Sequence, residues 1–255
     1  MTDFSALFSR SGLVFTPSVV HILFFLFPMK NLLKIFAIGS CVIGSAMAAD
    51  VQPTAEDASK GLQTALSSLV SQATTSVSDE KTAESLTITL PDKLNKLESL
   101  LRSSGHGDLV DEFKAKVKSV AVQTLPLTKD AFTSSTEGLK IDDPLTVLKT
   151  GPDGLTNYTK QHTRPPILAK VQPLIASKSK EVGVTAAYQA MVAKAGPMAS
   201  AMFGKEPPAN LEQNVTEQTV DFVYAEMGKG EGALRAKPSL SKDALVKKIF
   251  SAVKK

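Results

Sequence analysis

The residues with the clearest chemical potential lie close together between positions 158 and 164. They are a phenol, two cations, an imidazole and a hydroxyl: Tyr158, Lys160, His162, Thr163 and Arg164. Tyr158 and His162 are one helical turn apart, so their rings can meet, and the two cations are near enough to attract an anion. These residues, called the 158–164 patch, are therefore a candidate ligand-binding site for a small anion. The alternative, which we prefer, is that Tyr158 lies at the core edge and its hydroxyl caps a turn.

A second histidine, His106, lies in a Gly-His-Gly turn that is followed by several carboxylates. A carboxylate that orients an imidazole would create a general base, and the corresponding function is an uncharacterised hydrolase that uses His162 or His106. The simpler interpretation of His106 is an exposed turn residue. Asp111 and Glu112 are adjacent and point about 100° apart on a helix, which indicates a charged outer face rather than a catalytic pair. We assign no catalytic residue, and an enzyme is the less favoured class.

Metal ligands and cofactor motifs are scarce in this sequence. It has three histidines and one cysteine, Cys41, and no two histidines have the spacing of metal ligands. The glycines Gly228, Gly230 and Gly232 follow a predicted helix rather than a strand. They are therefore expected to loosen the backbone at a helix end and not to form a phosphate-binding loop. We expect no metal and no cofactor.

Residues 29–48 have the three parts of a signal peptide. Lys30 and Lys34 form the positive start, residues 35–44 form the apolar run, and small residues around Ala48 form the cleavage site. Export to the periplasm is the expected consequence, with cleavage after Ala48.

The residues on either side of this signal complete the predicted organisation. Residues 1–28 have no clear role, so we interpret Met29 as the true start and 1–28 as a mis-assigned upstream extension. One alternative is a membrane anchor at 13–26, although this run is shorter than the roughly 20 residues of a spanning helix. The other is a lipoprotein, anchored to the membrane through a lipidated Cys41. Residues 49–255 then form the folded domain.

The charge of the chain does not point to a nucleic-acid partner. The formal net charge is +4, and residues 1–48 hold three of the 29 basic and one of the 25 acidic residues, which leaves +2 for the remainder. Both signs are interleaved there, whereas a phosphate-tracking surface gathers its basic residues on one face. Lys242, Lys247 and Lys248 surround a C-terminal helix that could touch anionic lipid. We expect another envelope protein or a small anionic ligand as partner, with membrane contact only through this helix or a lipidated Cys41.

Apolar residues recur three and four positions apart along the rest of the chain, a spacing typical of amphipathic helices. No stretch alternates with a period of two for long enough to predict a strand, so we predict an all-α, single-domain multi-helix bundle. Pro165 and Pro166 are expected to kink or stop a helix that Asp153 caps, and residues 196–210 are expected to form a loop. The predicted helices cover residues 55–77, 92–104, 109–121, 126–137, 144–149, 153–162, 167–181, 184–194, 211–227 and 241–253.

The order of several short motifs resembles one family of exported bacterial proteins. In chain order the motifs are Gly61-Leu62 with Ala65-Leu66, Ile88-x-Leu90-Pro91, Leu97-Glu98-x-Leu100-Leu101-Arg102, Gly105-His106-Gly107-x-Leu109-x-Asp111-Glu112-Phe113, Gly151-Pro152-Asp153-x-Leu155-Thr156-x-Tyr158, and Val182-Gly183 with Tyr188. Together they resemble the domain of unknown function 4197 of Gram-negative bacteria. The resemblance implies a helical periplasmic or envelope protein, and it implies no mechanism.

These observations favour a binding or interaction module of the cell envelope. The alternatives are a hydrolase and a peripheral lipid binder. An enzyme would need a concave pocket that joins Tyr158 and His162 to Asp or Ser residues of other helices. A lipid binder would show an apolar cavity or a cationic face, and a partner-binding module would show an exposed apolar patch.

Overall fold

The computed structural model describes residues 52–253, so the predicted signal peptide, residues 1–28 and Cys41 lie outside the described residues. Residues 52–253 fold into helices and turns with no β-strand among them, which confirms the predicted all-α bundle. None of these helices is both long and apolar enough to cross a bilayer. Two 3-10 turns, Leu125–Thr128 and Pro238–Leu240, accompany the α-helices, which are α1 Ala55–Ser76, α2 Glu80–Glu84, α3 Asp92–Ser103, α4 Gly107–Thr124, α5 Lys129–Thr136, α6 Pro144–Lys149, α7 Gly154–Val182, α8 Val184–Lys194, α9 Pro197–Phe203, α10 Asn210–Ala236 and α11 Ala244–Ala252.

The four longest helices, α1, α4, α7 and α10, form the centre of the bundle. α7 and α10 form the most extensive helix pair, α4 lies against α7 and α8, and α1 contacts α10 and α11. Each of the helices α1–α11 contributes buried apolar side chains to one continuous cluster. Full burial of a large aliphatic side chain contributes about 1.5–3 kcal/mol, so this shared core, more than local propensity, stabilises the helices.

α1 begins where the sequence predicts, and the last helix docks on it. Thr54 Oγ1 accepts a hydrogen bond from the backbone N–H of Asp57 at 3.1 Å, which caps the helix. Gly61 lies on the buried face, where a Cβ would be 2.6 Å from Ile249 Cδ1 of α11. This glycine therefore allows α11 to lie close against α1, and Lys248 of α11 also forms an ion pair with Asp57 at 2.7 Å.

α7 continues through three prolines, so the prediction of separate helices on either side of Pro165 and Pro166 is wrong. One helix runs over Gly154–Val182 and contains Pro165, Pro166 and Pro173. A proline lacks an N–H and leaves the carbonyl four residues earlier without its helical partner. All three prolines are exposed, on the side away from the buried face, so water can satisfy those carbonyls.

α10 is also longer than predicted, because its three glycines do not end it. The helix runs over Asn210–Ala236, through Gly228, Gly230 and Gly232. A Cβ on Gly230 would lie 3.1 Å from Leu69 Cδ2 of α1, so the missing side chain allows α1 and α10 to approach closely. Tertiary packing therefore outweighs the low helix propensity of glycine.

The stretch 196–210 contains a helix, α9, so the prediction of a continuous loop there is wrong. Ala199 and Phe203 of α9 are buried, and the helix packs against α8. The hydroxyl of Tyr188 in α8 donates to the carbonyl of Phe203 at 2.8 Å. A helix of seven residues has too little periodicity to be recognised alone, and its contact with α8 stabilises it.

Candidate functional site

The residues of the 158–164 patch contact two different neighbours in the fold. The rings of Tyr158 and His162 stack with centroids 4.2 Å apart, as their spacing allows. Lys160, Thr163 and Arg164 instead contact side chains of α10. The patch therefore consists of an aromatic pair and a separate polar contact between helices.

The aromatic pair is engaged with the backbone. The hydroxyl of Tyr158 donates to the carbonyl of Lys140 at 3.0 Å and accepts from the N–H of Asp142 at 3.3 Å. His162 Nδ1 lies 2.8 Å from the carbonyl oxygen of Tyr158, within the same helix. The phenol thus holds the turn that precedes α6, which is the geometry of the alternative interpretation.

The two cations of the patch face carboxylates of α10. Arg164 donates to Asp221 through Nε at 2.9 Å and Nη2 at 3.2 Å, and Lys160 Nζ lies 3.1 Å from Asp221 Oδ1. The hydrogen bond to Asp221 raises the pKa of Arg164 above its usual range. Burial alone would raise the pKa of Asp221, but the hydrogen bonds from Arg164 and Lys160 bring it below its usual range. A ligand anion at this place would have to compete with Asp221 for both cations.

Thr163 lies behind these charges, in the core between α7 and α10. Its hydroxyl is 2.8 Å from the hydroxyl of Tyr224, whose ring makes an edge contact with Phe132 at a centroid distance of 5.0 Å. Burial raises the pKa of Tyr224 to about 12. Tyr224 is therefore a neutral hydroxyl near neutral pH, and its bond with Thr163 stabilises the helix pair.

A buried carboxylate that the sequence analysis did not single out, Glu231 of α10, caps the start of α7. Its side chain has 0% of its surface exposed. Its two oxygens accept from the N–H of Leu155 at 2.9 Å, and from the N–H and hydroxyl of Thr156 at 2.7 and 2.8 Å. Asp153 occupies the N-cap position of this helix, as predicted, but its side chain makes no capping hydrogen bond, and Glu231 accepts from those donors instead.

Arg235 neutralises Glu231 and extends the same network to two further helices. Its Nε lies 2.8 Å and its Nη2 2.7 Å from Glu231 Oε1. The guanidinium also donates to the carbonyls of Leu148 and Val147 at the end of α6 and lies 5.1 Å from the ring centre of Phe250 in α11. The network thus joins α6, α7, α10 and α11, and its hydrogen-bonding groups are used within the protein. We assign it a structural role.

A groove of about 610 Å³ lies between α1, α10 and the segment 240–246. We call it the α1/α10 groove. Its volume lies within the range of small-molecule sites. Its apolar walls come from Ala65, Leu69, Ala233, Leu234, Leu240 and Val246, and its polar rim comes from Thr64, Ser68, Gln72, Ser241, Lys242 and Asp243.

A second, shallower pocket of about 390 Å³ includes one residue of the 158–164 patch. Lys160 lines it together with Asp221, Tyr224, Asp153 and Lys229. Its charged lining residues are two cations and two carboxylates, and Asp221 is already paired with Lys160. Tyr158 and His162 line neither this pocket nor the α1/α10 groove. The structure therefore separates the 158–164 patch from the α1/α10 groove.

The fold and the groove define the class of this protein. Its described part is an all-α bundle with a small-molecule-sized groove, and residues 52–253 contain no group of three or more His, Cys, Asp or Glu side chains that could hold a metal ion. The chain belongs to the family described as Protein of unknown function (DUF4197), whose model matches residues 52–251. No match was found among the curated proteins or among the solved structures.

Proposed function

We propose that this protein is a ligand-binding module of the cell envelope and that the α1/α10 groove is its binding site. The observation that carries the proposal is a cavity of about 610 Å³ with apolar walls and a polar rim. Leu240 supports it, because this leucine lines the groove and yet has 58% of its surface exposed. A ligand in the groove would cover apolar surface that the fold itself leaves open to water.

The geometry favours binding over the alternative of a hydrolase. A hydrolase based on His162 needs an acid or a nucleophile from another helix beside the ring, at a place where a substrate can enter. Tyr158 and His162 instead bond to backbone groups and line neither the α1/α10 groove nor the pocket of about 390 Å³. A small anion at the 158–164 patch is the second candidate ligand, and it would have to displace Asp221 from Lys160 and Arg164.

The envelope location is part of the proposal and is supported by the sequence pattern of residues 29–48. The test is the N-terminal residue and intact mass of the protein purified from the cells that produce it. We expect a species that begins at Ala49, after cleavage at the small residues that precede it. A species that retains Met1 would contradict export by this signal, and a lipidated species that begins at Cys41 would replace the soluble module by a membrane-anchored one.

Blocking the groove tests the binding site directly. Ser68 lines the groove from an exposed position of α1, so Ser68→Trp places an indole in the cavity without entering the core. We expect the affinity for an alkyl probe, octyl glucoside below its micelle concentration, to fall about tenfold or more, since the indole occupies the apolar volume. Isothermal titration calorimetry measures the affinity, and NMR shifts of the Leu69, Leu234 and Val246 methyl groups locate the probe.

The adjacent residue offers a matched control. Ser67 is also exposed on α1 but does not line the groove, so Ser67→Trp should leave the affinity unchanged. The chain contains no Trp, so each variant also carries a single tryptophan whose fluorescence reports its surroundings. Equal affinities of the two variants, or probe shifts confined to methyl groups elsewhere, would show that the groove is not the site.

A further inference from the structure

We infer that the α1/α10 groove takes an amphiphile with one linear aliphatic tail and an anionic head, the chemistry of a fatty acid or a single-chain alkyl phosphate. This inference rests on the proposed function, because it names the ligand class of that same groove. It also goes beyond it, since an apolar cavity alone does not specify a head group.

The walls of the groove specify the tail. They are formed by aliphatic side chains alone, with Leu69 and Leu234 buried on facing helices and Leu240 open to water at the edge. No aromatic ring lines the groove, so a flat aromatic ligand would find no stacking partner there. Gly230 also lines the groove, and its missing side chain leaves room for Leu69, since a Cβ there would lie 3.1 Å from Leu69 Cδ2. A flexible alkyl chain is the ligand that such walls suit best.

The polar rim of the groove favours an anionic head group on the ligand, because the rim presents hydrogen-bond donors. Ser68 Oγ accepts from Gln72 Nε2 at 3.0 Å, and Ser241 Oγ accepts from the N–H of Asp243 at 3.1 Å. A hydroxyl that accepts in this way keeps its own proton for a further acceptor. Lys242 adds an ammonium group at the same rim, and it forms no ion pair with another described residue. Two hydroxyl donors and a cation together match a carboxylate or a phosphate.

One carboxylate, Asp243, also lies on the rim, but it is engaged in capping a helix. Asp243 Oδ1 accepts from the N–H of Val246 at 2.8 Å and caps α11. The partial positive charge at the start of that helix compensates the carboxylate. Lys242 is therefore the rim charge that remains for a ligand, and it should decide between anionic and cationic heads.

Charge reversal at Lys242 tests whether the groove selects an anionic head group. The experiment uses the protein purified from the cells that produce it. The probes are decanoate, decyl phosphate, decanol and decyltrimethylammonium, each below its micelle concentration and measured by isothermal titration calorimetry. We expect the wild-type protein to bind decanoate or decyl phosphate more tightly than the cation. Lys242→Glu should lower the affinity for both anions about tenfold and leave that for decanol unchanged. The tighter of the two anions distinguishes a fatty acid from a phosphate-headed lipid.

Lys237→Glu is the control, since it makes the same change in net charge on the same connection between α10 and α11 but outside the groove. It should change each affinity by less than about twofold, because Lys237 does not line the groove and solvent and salt screen its exposed charge. Two results would contradict the proposal that the ligand has an anionic head group. One is an equal effect of Lys242→Glu and Lys237→Glu on the affinities, and the other is tighter binding of the cationic probe to the wild type. In that case, loss of decanol binding in Ser68→Trp would still support the groove as the site. Decanol binding unchanged by Ser68→Trp would overturn the proposed function as well.

Discussion

Replacing Glu231 by alanine is expected to lower the free energy of unfolding by about 3–5 kcal/mol, the cost of removing one partner of a buried ion pair. The variant leaves the guanidinium of Arg235 with its charge partner gone. It also leaves the N–H groups of Leu155 and Thr156 without acceptors at the buried start of α7. A stable protein has only about 5–15 kcal/mol in total, so this single change should remove a large fraction of the stability.

The measurement is urea unfolding followed by far-UV circular dichroism. Glu231→Gln keeps the shape and one acceptor oxygen but turns an NH₂ group toward backbone donors, so an intermediate loss is expected. This second variant gives a measurable value if Glu231→Ala does not fold. Glu217→Ala is the control on the same helix: Glu217 is half-exposed and lies 4.0 Å from Arg164, and such surface pairs contribute about 0–1 kcal/mol. Equal losses in Glu217→Ala and Glu231→Ala would contradict a special role for the buried network.

Replacing Gly154 by alanine should destabilise the protein by about 1–3 kcal/mol, the range for inserting a methyl group into a filled space. A Cβ at this position would lie 2.9 Å from the carbonyl oxygen of Val147 and 3.0 Å from Thr150 Cβ. The carbonyl belongs to the backbone, and it also accepts a hydrogen bond from Arg235. The turn between α6 and α7 would have to move, and that movement would pull the start of α7 away from Glu231.

Gly232→Ala provides a control, because this glycine-to-alanine change should raise the stability instead of lowering it. It lies inside α10, where the nearest atom to an added Cβ is the carbonyl oxygen of Pro152 at 3.9 Å, an ordinary contact. Alanine has the higher helix propensity, so this variant should gain about 0.5–1 kcal/mol. Thermal unfolding of both variants under identical conditions checks the pair. If Gly154→Ala were as stable as the wild type, the turn would not be close-packed.

Several elements were predictable because their signals are local. The capped start of α1 at Thr54 depends on residues three positions apart, and α6 and α8 have the bounds that the sequence predicts. The stacked rings of Tyr158 and His162 follow from their spacing of one turn within one helix. In each case the residues that interact are close in sequence, so their spacing along the chain is enough to predict the contact.

The predictions that were wrong concern helices for which contacts with distant parts of the chain outweigh a local rule. The proline rule predicts that Pro165 and Pro166 kink or stop the helix. It does not consider which side of the helix the prolines are on, and here they are on the exposed side, where water can bond to the freed carbonyls. The glycine rule predicts that α10 ends after Met227, but Gly230 lies where α1 must come close. Packing of each helix against its neighbours outweighs a propensity difference of about 1 kcal/mol per glycine and about 3 kcal/mol per proline.

The sequence by itself determined that this chain is helical, where most of its helices begin, and which family it belongs to, because periodicity, caps and motif order are all read along the chain. Only the tertiary structure decided how the polar groups are used. Leu155 and its acceptor Glu231 are 76 positions apart, and Arg164 and Asp221 are 57 apart. The α1/α10 groove likewise combines residues 64–72 with residues 230–246. Such pairings depend on which helix faces pack together. The sequence shows which face of each helix is apolar, but it does not show which other helix packs against that face.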